Sequence, residues 1–109
     1  MAEPTPEIVV VGSYVHDMKW RTERFPVDGE SVLGDFYDDP GGKGANQAVA
    51  AARLEVPTAF VGGVGGDILG VGAKKLFENE GIQSRLLEVD GPTGTASIQI
   101  DSTGQNRIV

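Results

Sequence analysis

The folds open to this chain are limited above all by a glycine-rich turn, Gly41-Gly42-Lys43-Gly44-Ala45-Asn46-Gln47, which leads directly into the alanine-rich stretch 48–52. Glycines let the backbone approach a ligand closely and adopt positive φ angles, and the first amides of a helix have no acceptor inside it. The pattern therefore predicts a helix over residues 44–54 whose entrance binds a ligand. Lys43 and Asn46 would face that ligand together.

Apolar runs on either side of the turn complete a βαβ unit. Residues 7–12 (EIVVVG) form a short continuous apolar run ended by glycine, which is typical of a strand buried on both faces of a parallel sheet. Residues 58–61 are apolar and β-prone, and this second predicted strand ends at Gly62-Gly63.

Three other segments favour antiparallel hairpins: 14–21, 31–37 and 94–109. In the last of them, the turn 101–104 separates two runs with strand character. We therefore predict a second, partly exposed sheet. Because the pattern is still that of an apolar strand at Ile108-Val109, we also expect the chain to be a portion of a longer one.

Length, charge and residue types exclude several classes of function for this chain. The chain has 109 residues, 39% of them apolar, which suffices for one modest domain. A net charge of -7 without a Lys/Arg cluster argues against a nucleic-acid or anionic-membrane surface, since both require a basic footprint. With one histidine and no cysteine, no metal site is predicted. No secretory signal or bilayer-spanning run is visible, so we expect a cytoplasmic protein.

Two common phosphate-binding signatures do not match the glycine-rich segments. A P-loop requires a hydroxyl residue directly after its lysine, whereas Lys43 is followed by Gly44. A dinucleotide fingerprint starting at Gly42 would require glycine in place of Gln47, and one starting at Gly63 would require it in place of Ile68. These failures weaken the hypothesis of a nucleotide-binding domain.

The turn does resemble the Gly-Gly-x-Gly-x-Asn signature of the ribokinase-like (PfkB) family of sugar and nucleoside kinases. The resemblance extends over most of the chain through motifs in the family's order, at 9–17 (VVVGSYVHD), 25–31 (FPVDGES), 41–48, 61–70 and 93–106. It implies an α/β fold for residues 1–109, the N-terminal part of a doubly wound parallel sheet plus an antiparallel β lid. The lid strands are expected at about 14–21, 31–38 and 94–109.

The family match also implies residues that contact a sugar. Asp17 matches the acid that binds sugar hydroxyls after the first strand, and a carboxylate can accept two hydroxyl hydrogen bonds at once. Ala96 and Ile98 match lid positions that close an apolar surface over the sugar. From position alone, Asp17 could instead be a solvated turn residue. Val15 replaces an asparagine common in bacterial members, which leaves the identity of the sugar open.

Within the signature, the resemblance implies that Gly42 offers its backbone amide, Lys43 donates to a sugar oxygen, and Asn46 both donates and accepts. The alternatives are a flexible surface amine for Lys43 and a helix-entry residue for Asn46.

Asp67 is interpreted as the cap of a second helix that extends to residues 77–80 and stops at Gly81. The segment Gly65-Gly66-Asp67 superficially resembles the Gly-Ala-Gly-Asp that carries the family's catalytic base. It lacks the Asp-Thr pair that precedes the base in the C-terminal part of a much longer chain. No catalytic residue is therefore expected in this chain.

The activity implied for the full-length parent is ATP- and Mg²⁺-dependent phosphorylation of a primary hydroxyl of ribose or a similar sugar. The nucleotide-binding segments and a monovalent-cation loop are expected beyond this chain, which would be inactive alone. A homodimer formed through the lid strands is also implied. The alternative is a non-catalytic sugar-binding or lid-mediated dimerisation module.

Overall fold

The computed structural model describes residues 4–109, which form seven strands and two helices in two sheets. The elements follow one another along the chain as β1 (Ile8–Val11), β2 (Val15–Arg21), β3 (Asp35–Gly41), α1 (Lys43–Arg53), β4 (Thr58–Gly65), α2 (Ile68–Asn79), β5 (Gln83–Val89), β6 (Thr95–Ile100) and β7 (Asn106–Ile108). Neither helix is long and apolar enough to cross a membrane within this part of the chain.

The first sheet is parallel, with strand order β1-β4-β5, and carries both helices on one face. Its core is built on Phe60 of β4 and Phe77 of α2, both fully buried, whose rings stack with centroids 4.5 Å apart. Small residues of α1, notably Ala45 and Ala48, let that helix approach the sheet closely. The predicted βαβ unit is thereby confirmed.

Two features of this sheet differ from the sequence expectation. The β4 strand does not end at Gly62-Gly63 but continues to Gly65, because β5 pairs with it up to Val89. The β5 strand itself was not predicted, since Gln83–Val89 (QSRLLEV) is neither continuously apolar nor alternating. It forms a strand because its backbone hydrogen bonds to β4, although its sequence has no strand pattern.

The second helix begins and ends as expected. Asp67 is its N-cap, and Oδ1 of Asp67 accepts a hydrogen bond from the Gly70 amide at 2.9 Å. The helix ends at Asn79, and Gly81 adopts a φ of 72°, which favours glycine.

The second sheet has strand order β3-β2-β6-β7. Its outer pairs, β2–β3 and β6–β7, are antiparallel, but the central β2–β6 pair is parallel. The parallel pair arises because β6 reaches β2 only after the chain has passed through the first sheet. The strand expected within 31–37 lies instead at Asp35–Gly41, where Gly41 pairs with Val15. The predicted α/β fold class, a parallel sheet plus a second sheet with antiparallel pairs, is confirmed.

The face of the first sheet opposite the helices is bare and apolar. Val9 and Val11 of β1 are 55% and 78% exposed, and Leu87 and Val89 of β5 are 69% and 47% exposed. Parallel sheets are ordinarily covered on both faces. Within residues 4–109, β1 is therefore covered on one face only and not on both faces as its apolar run predicted.

Candidate functional site

The glycine-rich turn connects β3 to α1 and lies directly on the backbone that leaves β1. Gly42 is the N-cap of α1 with φ of 98°, and a Cβ atom there would lie 2.5 Å from the carbonyl oxygen of Ser13. A Cβ atom on Gly44 would lie 3.0 Å from Cα of Gly12. The amide of Ala45 donates to the Ser13 carbonyl at 3.3 Å. Glycine is required at 42 and 44 because two backbone segments meet here without space for side chains.

Lys43 and Asn46 lie one helical turn apart, and both are exposed. Asn46 does not cap the helix, because the N-cap is Gly42 and no side chain caps it. The Asn46 amide donates to the Gly42 carbonyl at 2.9 Å as the first bond of the helix. Both side chains are therefore available to a ligand at the helix entrance.

Asp17 lies on β2, half-buried, with its carboxylate against the turn. A Cβ atom on Gly41 would lie 2.5 Å from Cγ of Asp17, so the carboxylate occupies the space that any side chain at 41 would need. Asp17 makes no hydrogen bond or ion pair within residues 4–109, and its oxygens are thus free to bind hydroxyls.

The strand register places the two predicted lid residues beside Asp17. Ala96 lies directly across from Asp17 on β6, and Ile98 lies two residues further along, across from Lys19. Alternation along the strands puts all three predicted residues on one face of the second sheet. Ile98 is buried, 9% exposed, while Ala96 is half-buried.

Sequence reasoning missed two charged residues on that same face. Asp39 of β3 lies directly across from Asp17, and Nζ of Lys19 lies 3.2 Å from each carboxylate oxygen of Asp39. The alternation of β2 could have identified Lys19 from Asp17. Asp39 could not have been found that way, because its partner is set by a register between distant segments.

Tyr14, the residue before β2, points into the core beneath this face. It is 3% exposed, and its ring lies edge-on to Phe77 with centroids 6.2 Å apart. Burial, and then the carboxylates of Asp17 and Asp39, raise the pKa of the Tyr14 hydroxyl. The phenol is protonated at neutral pH with or without this shift.

The opposite face of the second sheet carries the single histidine. Nε2 of His16 lies 2.6 Å from Oδ2 of Asp38, and Trp20 packs against Phe36 with ring centroids 5.2 Å apart. No group of three or more histidine and carboxylate side chains within 4–109 is arranged to hold a metal ion. The described residues therefore offer no such cluster for the Mg²⁺ that the family resemblance implies.

Comparison with known proteins identifies the family. A family model described as pfkB family carbohydrate kinase matches residues 5–109. The chain belongs to this family. It is 41% identical over 110 residues to the ribokinase of Mus musculus, covering 98% of this chain and 34% of the relative. Against the Bacillus subtilis ribokinase the identity is 41% over 105 residues, covering 94% and 36%.

Solved structures agree on the fold. A ribokinase from Giardia lamblia superposes with a TM-score of 0.91 at 38% identity, covering 96% of this chain and 33% of that one. The Arabidopsis thaliana ribokinase complexed with ribose and ATP gives 0.80 at 37%, covering 97% and 36%. This pfkB-family chain thus spans about a third of the length of the curated relatives it matches. The sugar-binding roles of its six predicted residues stay a prediction.

Proposed function

We propose that this chain is the N-terminal, sugar-binding part of an ATP-dependent carbohydrate kinase that phosphorylates a primary hydroxyl of ribose or a similar sugar. The observation that carries this proposal is the contact of the unpaired Asp17 carboxylate with Gly41, two residues before Lys43. That contact joins the two separated motifs of the family resemblance in one site. The similarity to ribokinases, one of them complexed with ribose and ATP, supports it.

In this site each residue type suits a neutral polyol. Asp17 accepts hydrogen bonds from two sugar hydroxyls, Lys43 donates to a sugar oxygen, and Asn46 donates and accepts. The Gly42 amide is a further donor at the entrance of α1. Ala96 and Ile98 provide an apolar surface beside Asp17 that excludes water from the bound sugar.

The phosphate chemistry belongs to the remainder of the full-length protein in this proposal. ATP and Mg²⁺ supply the phosphoryl group and neutralise its charge, and an aspartate base accepts the hydroxyl proton. A monovalent cation is proposed near the C-terminus of that protein. The bare face of the first sheet, with Val9, Val11, Leu87 and Val89, is where the remainder would pack. We also propose a cytoplasmic location, in line with the acidic composition.

We further propose a homodimer formed through the second sheet. Among residues 4–109, its outer strands, β3 and β7, have one unpaired edge each, and unpaired edges favour association. Phe36 on β3 is 55% exposed beside Trp20, which adds apolar area to that surface.

The activity is tested by ribose-dependent ADP formation with the full-length protein, beside other pentoses and hexoses. We expect Asp17→Asn and Lys43→Met each to raise KM for the sugar about 10- to 100-fold, because a hydrogen bond to a charged group contributes about 1.5–3 kcal/mol. Lys75→Met, which removes an exposed lysine of α2, is the matched control.

Three results would count against this assignment. Sugar-dependent ADP formation by the pure 109-residue chain would contradict the absence of the catalytic base. Unchanged KM in both variants would contradict the site. Sugar binding by the full-length protein without any ADP formation would favour the alternative, a non-catalytic sugar-binding module.

A further inference from the structure

Three charged side chains, Asp17, Lys19 and Asp39, lie together at the glycine-turn end of the face that we assign to the sugar, while Arg21 and Asp35 pair further along the same face. We propose that Lys19 is a positioning residue that neutralises Asp39, the residue opposite Asp17, and so leaves Asp17 as the free carboxylate of the two for sugar hydroxyls. This inference rests on the proposed function and adds Lys19 and Asp39 to its site.

The two carboxylates are neighbours by strand register. Asp17 on β2 pairs directly with Asp39 on β3, and residues directly opposite in an antiparallel pair have Cβ atoms about 4.5–5.5 Å apart. Like charges in such positions repel each other. Both also contribute to raising the pKa of the buried Tyr14 hydroxyl.

Lys19 reduces this repulsion by forming an ion pair with Asp39 and not with Asp17. Its ammonium lies 3.2 Å from both oxygens of Asp39 and 5.4 Å from the centroid of the Tyr37 ring, the neighbour of Asp39 along the same face of β3. The Lys19 side chain is 24% exposed and that of Asp39 is 46% exposed, so the pair is only partly screened by solvent. The Lys19 ammonium therefore forms its ion pair with Asp39, while Asp17 lies against Gly41 without an ion pair.

In this proposal the two aspartates have different roles: Asp39 pairs with Lys19, and Asp17 binds the sugar. Without Lys19, Asp39 would be a second unpaired carboxylate beside the sugar, and its repulsion would act directly on Asp17. With Lys19, the three groups carry one net negative charge, and that charge is on Asp17.

The test is a charge-removal cycle in the full-length protein, with KM for the sugar and kcat measured separately. We expect Lys19→Met to raise KM about fivefold, from the repulsion of directly opposed charges, with kcat within about twofold of wild type. The double variant Lys19→Met/Asp39→Asn should lose most of that increase in KM, because it removes the repelling carboxylate together with its cation. Raising the salt concentration to about 0.5 M should reduce the Lys19→Met defect, because screening weakens the repulsion.

Lys19→Arg, which keeps the cation, should retain the wild-type KM, and Lys75→Met is the control for loss of a surface lysine. If Lys19→Met does not fold, as judged by circular dichroism, Lys19→Gln takes its place. An unchanged KM in the neutral variant, or a double variant as impaired as the single one, overturns the proposal. A wild-type protein that neither binds nor phosphorylates any sugar would instead refute the proposed function, and the role of Lys19 with it.

Discussion

At Gly41 the missing side chain has a structural consequence for its neighbour. A Cβ atom there would lie 2.5 Å from Cγ and 2.7 Å from Oδ1 of Asp17. The φ of Gly41 is not positive, so the backbone itself would tolerate alanine. The constraint on this position is therefore steric, and it concerns the orientation of the Asp17 carboxylate.

We predict that Gly41→Ala displaces Asp17 and raises KM for the sugar about tenfold or more, since a charge-assisted hydrogen bond loses its geometry. Steady-state kinetics of the full-length protein measure this. The matched control is Gly72→Ala in α2, where an added Cβ would meet nothing within 4 Å. That substitution should leave KM unchanged and raise stability by up to about 1 kcal/mol. Equal KM values for wild type and Gly41→Ala would refute the steric role.

Among the elements, a hydrogen-bonded junction around Asp67 ties α2 to both sheets. Oδ1 of Asp67 accepts from the Gly70 amide and from the Thr93 hydroxyl at 2.6 Å, and Oδ2 accepts from the Thr93 amide at 2.8 Å. Oγ1 of the buried Thr93 also accepts from the Gly65 amide, at the end of β4. Thr93 lies two residues before β6, so this junction holds the second sheet against the first.

The junction predicts a pH dependence of stability. The Thr93 hydroxyl above all, then the amides of Thr93 and Gly70, lower the pKa of Asp67. Because the pKa of Asp67 is lower in the folded state, the ionised carboxylate stabilises the fold above the unfolded pKa of about 3.9. This stabilisation is lost as the pH falls through the folded pKa. Asp67→Asn should therefore lower the urea midpoint at pH 7, with the difference shrinking toward about pH 3.

Thr93→Val removes the principal donor while keeping the shape of the side chain. In that background the effect of Asp67→Asn at neutral pH should be smaller. A difference between wild type and Asp67→Asn that is constant from pH 7 to about pH 3 would contradict this account of the junction.

For the whole molecule, the proposed dimer makes the exposed apolar surface of the second sheet a site to test. We predict that Phe36→Glu converts a full-length dimer to a monomer, because it places a charge in an apolar contact. Leu54→Glu is the control, since Leu54 is 78% exposed at the end of α1 and lies outside that sheet. Sedimentation analysis distinguishes the two. A monomeric wild type, or a Phe36→Glu variant of dimer mass, would refute the assignment.

The features determined by the sequence alone are local ones. The turn at Gly41–Gln47 and the cap at Asp67 could be predicted because glycine geometry and helix capping depend on residues within a few positions of each other. The tertiary structure alone decided the β5 strand, the full length of β4 and the pairing of Asp17 with Asp39 and Ala96. Those pairings join segments separated by 22 to 79 positions, and their register depends on how whole sheets pack.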